Sequence, residues 1–186
     1  MELDACIKGR RSIRRYADKA VPKEIAEKLM EAGVAAPSGM NAQPWRFVVI
    51  EKREAINKLS RRTKELLLGM GQWPENLKDA FKSEKDTIFY GAPLLILICT
   101  PKKEGWRDVN LLDSALAAEN MFLTAYQEGL GSCFIGFGNF LNQDPKLLAD
   151  VGVPEDHELI APLIFGYPAE SPAAKPRSVQ VLRWER

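Results

Sequence analysis

Apolar positions change period several times along the chain, and each change marks an element. Residues 3–8 form a short helix candidate that ends at Gly9. Pro22 opens a second helix, with Ile25, Leu29, Ala32 and Ala36 at helical spacing, and that helix must stop by Pro37. Residues 37–44 carry loop chemistry, Pro, Ser, Gly, Asn and Pro, and 45–50 is a strand candidate. A polar helix over 51–70 breaks at 71–74 and leaves Trp73 in a loop. Residues 75–87 are charged and weakly patterned, and are expected to form a mobile surface element, a candidate lid. In Leu94-Leu95-Ile96-Leu97-Ile98 the alternation disappears, which predicts a strand over 93–100 with both faces buried.

From 108 to 128 runs the longest helix. Val109, Leu111, Leu112, Leu116, Met121, Phe122, Leu123, Ala125 and Tyr126 cover more than one of its faces, so it belongs in the middle of something larger, a second subunit included. Strand candidates follow at 132–135 and 159–165, with a short helix between them at 144–150. In the tail, 178–184, Val179 and Val181 alternate with Gln180, Leu182 and Trp184, a pattern that permits a last strand. Helices alternate with strands, so the class is α/β or α+β. No repeat or Gly/Ser linker divides the sequence, and residues 1–186 read as one domain.

Charge and composition narrow the chemistry. The 186 residues hold 26 Lys+Arg against 25 Asp+Glu, a balance that argues against a surface built for nucleic acid, so anion binding must be local. Cys6, Cys99 and Cys133 are dispersed and odd in number, which suggests neither a disulfide framework nor a zinc motif. With an acidic start, Met1-Glu2-Leu3-Asp4, unlike a signal peptide, the expected compartment is a reducing cytoplasm. The longest apolar run, 92–99, is far short of the roughly 20 residues that span a bilayer, so no membrane association is expected. The single histidine, His157, lies in a turn-like segment and is expected to be an exposed loop residue. HExxH, GxSxG and GxxxxGK[ST] are absent from the sequence. If the chain is an enzyme, a cofactor supplies the reactivity.

Four segments carry specific chemistry. Lys8, Arg10, Arg11, Arg14 and Arg15 cluster around Ser12; in an extended segment Arg10, Ser12 and Arg14 share a face, and two guanidinium forks flanking a hydroxyl match a phosphate. A solvated basic surface is the plain alternative. In Ala36-Pro37-Ser38-Gly39-Met40-Asn41-Ala42-Gln43-Pro44-Trp45, Gly39 allows close backbone approach, while Ser38, Asn41 and Gln43 offer donors and acceptors for the edge of a planar heterocycle. Pro44 is expected to hold Gln43 extended. Phe134-Ile135-Gly136-Phe137-Gly138-Asn139 lies at a strand end, where ligands often sit. Gly166-Tyr167-Pro168 and Lys175-Pro176-Arg177 complete the set, the last pair adding charge for a phosphate.

Together and in this order, these segments resemble the FMN-dependent nitroreductase family, and the resemblance spans nearly the whole chain. It implies an α+β fold with a mixed central sheet flanked by helices, assembled as an intertwined homodimer with two FMN sites at the interface. Arg10, Arg11, Ser12 and Arg14 would hold the phosphate and ribityl side, joined by Lys175 and Arg177. Pro37, Ser38, Gly39 and Asn41 would approach the flavin, some of them donated by the other subunit. Ile135 and Gly136 would place backbone amides near the isoalloxazine; many relatives carry an acid where Ile135 stands, so only a backbone donor is expected there. No side chain is expected to act as a nucleophile.

The activity implied is two-electron transfer from NADH or NADPH, through flavin N5, to an electron-poor small molecule such as a nitroaromatic or quinone. The same scaffold also carries dehalogenating and flavin-fragmenting enzymes, and a flavin-binding or redox-sensing module without turnover is the other class to separate. Trp73, Phe81, Phe89 and Trp106 are candidate lid residues.

Overall fold

A computed structural model describes residues 2–185. The elements are α1 (Leu3–Gly9), α2 (Lys23–Val34), a 3-10 turn (Gly39–Asn41), β1 (Arg46–Ile50), α3 (Arg53–Gly69), α4 (Glu75–Lys82), β2 (Leu94–Pro101), α5 (Arg107–Gln127), β3 (Gly131–Phe134), a second 3-10 helix (Gly136–Gln143), α6 (Pro145–Asp150) and β4 (His157–Gly166). The four strands form one sheet in the order β1-β2-β4-β3, and every neighbouring pair is antiparallel. The parallel component of the expected mixed sheet is one bridge, Ser12 to Ser132, which lays the N-terminal segment along β3.

The apolar run of β2 explains the layering. Because side chains alternate across a strand, Leu94, Ile96 and Ile98 enter one core with Leu29, Ala117 and Met121 of α2 and α5. Leu95, Leu97 and Cys99 enter a second core with Ile56, Leu59 and Leu67 of α3 and with Leu141 and Leu148. All six β2 residues are fully buried, and each large one contributes about 1.5–3 kcal/mol by burial. A register shift between Ile98 and Cys99 sets Ile98 against Ala161 and Cys99 against Leu159. The extra residue, Ile160, makes a bulge that turns Leu159 to the α3 side while Ala161 stays on the α5 side.

Three expectations change. Residues 75–82 form a helix pinned by Phe81, which is buried in an edge-to-face cluster with Trp73 and Phe137; Trp73 also donates its indole N–H to the Leu67 carbonyl at the end of α3. Phe81 and the fully buried Phe89 are therefore core side chains, not lid residues. His157 opens β4 with its side chain largely covered and Nδ1 2.7 Å from Asp156 Oδ1, so it is not an exposed loop histidine. The tail forms no strand among its described residues: from Ser171 to Glu185 it is exposed, and Val179, Leu182 and Trp184 face solvent.

Helix α5 departs from expectation in a useful way. Its second half buries Ala117, Ala118, Met121, Phe122 and Ala125 against the sheet, but its first half buries Asn110, Asp113 and Ser114 and exposes Leu111, Leu112 and Leu116. Polar side chains face in and leucines face out.

Candidate cofactor site

The basic segment is extended because it is bonded like a strand. Ile13 donates its N–H to Ser132 (3.0 Å), and Tyr16 bridges Pro168 at the end of β4. Ile13 points inward, 6% exposed, so Ser12 and Arg14 are left on the outer face. Arg10 Nε lies 3.3 Å from Glu119, with its guanidinium carbon 5.8 Å from the Phe122 ring centre, both on α5. The Arg14 guanidinium sits 5.9 Å over Tyr90, which is itself held at a left-handed φ of 56°. Asp86 fixes that turn by accepting the N–H groups of Phe89 (2.8 Å) and Gly91 (3.0 Å).

Arg11 points the other way. Its guanidinium donates to the carbonyls of Lys8 and Arg10, both at 2.7 Å, closing the C-terminal end of α1. Its Nε is buried with no hydrogen-bond partner. A cleft of about 260 Å³ opens here, lined by Arg10, Arg11, Ile13, Tyr126, Ser132 and Glu170 among others. Glu170, on its rim, reaches the outer face of the basic segment, where its Oε1 accepts the Arg14 N–H at 2.7 Å. Burial pushes the Cys133 thiol up, against the pull of Arg14, the Ser12 hydrogen bond and Arg10, and pushes Cys99 to about 12, so neither is a ready thiolate nucleophile.

The loop at 37–45 is built elsewhere. Three of its non-glycine residues are left-handed, Met40 at φ 52°, Asn41 at 54° and Gln43 at 46°. Gln43 is therefore not extended before Pro44. Its N–H goes to Ser38 Oγ (3.0 Å), its side-chain amide to Asn41 Oδ1 (3.0 Å), and its carbonyl accepts from Arg46 (3.1 Å); these bonds outweigh the local proline preference. Gly39 donates its N–H to Asp113 Oδ1 at 3.0 Å, and a Cβ there would stand 2.8 Å from Val109 Cγ1. The glycine is needed for close approach to α5. Pro37 and Asn41 are exposed, and Ser38 is half-buried.

Both segments rest on α5, the loop near Val109 and Asp113, Arg10 near Glu119 and Phe122, about 14 Å apart along the axis. Among the described residues, none from 37–45 lines the Arg10 cleft. One chain thus sets Arg10, Ser12 and Arg14 beside β3 with Arg11 turned away from them, and leaves Pro37, Ser38, Gly39 and Asn41 apart, in a second cluster.

The sequence profile of the Nitroreductase family matches residues 7–167, which takes in both the basic segment and the 37–45 loop. The chain belongs to the nitroreductase family. A crystal structure of a nitroreductase with bound FMN from Bacteroides fragilis is similar at 31% identity and a TM-score of 0.83, covering 100% of this chain and 98% of that one. A protein of Archaeoglobus fulgidus with the provisional name NADH dehydrogenase/NAD(P)H nitroreductase is 30% identical over 90% of this chain and 88% of its own. An iodotyrosine deiodinase of Thermotoga neapolitana is 27% identical, with 95% and 94% covered.

For a nitroreductase-family chain, the remaining segments stand as follows. Ile135 is 5% exposed and its N–H is already given to the Pro162 carbonyl at 2.9 Å, so it offers no backbone donor. Gly136, exposed at the start of the second 3-10 helix, is the position in that turn open to a ligand. Lys175 and Arg177 lie on the exposed tail, away from regular structure. Trp106 caps the start of α5, half-buried, with Lys103 Nζ 4.0 Å from its ring centre. Sequence reasoning missed Asp113, Glu119, Tyr90 and Glu170. Of these, Asp113 and Glu119 left a signal, acids inside the long and largely apolar helix. No helix among the described residues is long and apolar enough to cross a membrane, and no cluster there could hold a metal ion.

Proposed function

We propose that the protein is an FMN-dependent NAD(P)H oxidoreductase acting as a homodimer, each site composed of the basic segment of one protomer and the 37–45 loop of the other. The observation that supports this reading is the separation, within one chain, of the basic segment from the 37–45 loop, both of which pack on α5. The residues suit the phosphate end of the cofactor: the buried Arg11 Nε lacks an acceptor in a cleft that Arg10 also lines, and on the outer face of the same segment the Arg14 N–H already holds a carboxylate, that of Glu170. Outward-facing Leu111, Leu112 and Leu116 give α5 an apolar face that a second copy would cover.

When bound, FMN would supply two-electron redox chemistry between NADH or NADPH and an electron-poor acceptor such as a nitroaromatic or quinone. The chain's own residues bind and orient. Arg10, restrained by Glu119 and Phe122, and Arg14 with Ser12 hold the anionic end, with Lys175 and Arg177 of the tail adding charge. Ser38 and Asn41 present a hydroxyl and an amide from a rigid turn, and Gly136 offers a backbone N–H. A halogenated phenol is the second acceptor class, supported by the likeness to a deiodinase.

The test is uptake of FMN by the apo-protein, followed by NADH and NADPH oxidation with nitrobenzoate, a quinone or iodotyrosine. One FMN per subunit and turnover with any of the three is expected. Failure to take up FMN overturns the reading, and FMN binding without oxidation of either nicotinamide makes the protein a non-turnover flavin module.

A further inference from the structure

The first half of α5 buries two polar oxygens that find no partner. Asp113 is 4% exposed and satisfies one oxygen only, Oδ1 on the Gly39 N–H; Oδ2 is buried without a partner, as is Oγ of the adjacent, fully buried Ser114. A buried polar atom without a partner is destabilising, and most are satisfied in native proteins. Directly above this acid sits the loop with three left-handed non-glycine residues in four positions. Strain and unpaired polar groups persist together where the surrounding structure holds a particular geometry for function.

The loop braces itself only from Ser38 onward. Asn41 donates to the Ser38 carbonyl and Ala42 to the Gly39 carbonyl, both at 3.0 Å, and Gln43 donates to Ser38 Oγ and Asn41 Oδ1. These bonds fix the shape of the turn. Its position on the fold comes from elsewhere, from Trp45 buried at one end and from the Gly39–Asp113 bond in the middle. Gly39 also leaves no room for a Cβ against Val109, so the bond is made at closest approach of loop and helix.

We propose that Asp113 is a positioning residue for the cofactor loop: by holding the Gly39 amide it seats the left-handed turn on α5 and aims Ser38 and Asn41 at the ligand. This rests on the FMN reading above, but the anchoring itself is measurable without cofactor. Three quantities are read on Asp113→Ala and Asp113→Asn: thermal midpoint, amide hydrogen exchange at residues 39–43 in the apo-protein, and the Kd for FMN by fluorescence quenching. Asp113→Ala is expected to keep the midpoint near that of wild type, because removal of an unpaired buried oxygen offsets the loss of the Gly39 bond. It is also expected to speed exchange at Gly39 at least tenfold and to weaken FMN at least tenfold. Asp113→Asn, whose amide oxygen can still accept the Gly39 N–H, is expected to stay within threefold of wild type in exchange and in FMN affinity.

A lowered midpoint or lost fold in Asp113→Ala makes the acid structural and overturns the proposal. So does unchanged exchange, or wild-type FMN affinity, in that variant, or an Asp113→Asn chain that behaves like it. If the wild type takes up no FMN, the functional reading falls, and the exchange data alone decide whether Asp113 anchors the loop.

Discussion

On the proposed reading an anionic ligand held by the basic segment competes with Glu170, which accepts the Arg14 N–H, so replacing Glu170 isolates the competition. A hydrogen bond to a charged group contributes about 1.5–3 kcal/mol. At 2.7 Å from the amide but partly exposed, Glu170 belongs at the lower end of that range. A glutamine keeps the shape and a neutral bond of about 0.5 kcal/mol or more. Glu170→Gln thus frees the amide by about 1 kcal/mol, roughly fivefold in an equilibrium constant, and Glu170→Ala by about tenfold. Titrating apo-protein into FMN and following flavin fluorescence should show both variants binding more tightly than wild type. The gain should shrink as salt rises, since part of it is the removal of a like charge from the phosphate. Weaker FMN binding in Glu170→Gln at every ionic strength would refute the reasoning and make Glu170 part of the site.

Further outcomes follow from the same geometry. Arg10→Ala combined with Arg14→Ala should release FMN and leave a folded dimer, checked by gel filtration and absorbance of the flavin bands. Leu112→Asp with Leu116→Asp, on the outer face of α5, should give monomers that retain secondary structure but bind no FMN, seen by sedimentation and fluorescence. Asp144 caps α6 through the Leu147 N–H (3.0 Å) and pairs with Arg62 (2.6 Å), which together hold its carboxyl below the usual range. Its stabilising contribution is present above the ordinary carboxylate pKa near 4 and is lost as pH falls through the depressed value. Asp144→Ala should cost about 1 kcal/mol at neutral pH and flatten the acid limb of a thermal-midpoint profile.

The parts legible in the sequence are those set by local pattern. The unbroken apolar run of β2 announced a strand with cores on both sides, and Pro22 and Pro37 bracketed α2 because proline acts on its own neighbourhood. What was not legible depends on distant partners. Gln43 is left-handed before a proline because Ser38 and Arg46 hold it so. Asp113 acquires its meaning from a glycine 74 residues away. Ile135 was read as a backbone donor from its place beside Gly136, but its amide is consumed by Pro162 across the sheet. The alternation in the tail is real, yet a strand needs an edge to pair with, and the tail pairs with neither β1 nor β3 of its own chain.

The composite site is tested most directly by complementation. One chain carries Arg10→Ala and Arg14→Ala, the other Ser38→Ala and Asn41→Ala; each is purified alone, then both are unfolded, mixed and refolded into heterodimers. If each site takes its arginines from one protomer and its loop from the other, a heterodimer holds one intact site and one doubly damaged site. The mixture should therefore recover one FMN per heterodimer where neither parent binds any. Recovery of no FMN in heterodimers confirmed by mass would contradict the account, because it would mean that both half-sites serve the same protomer.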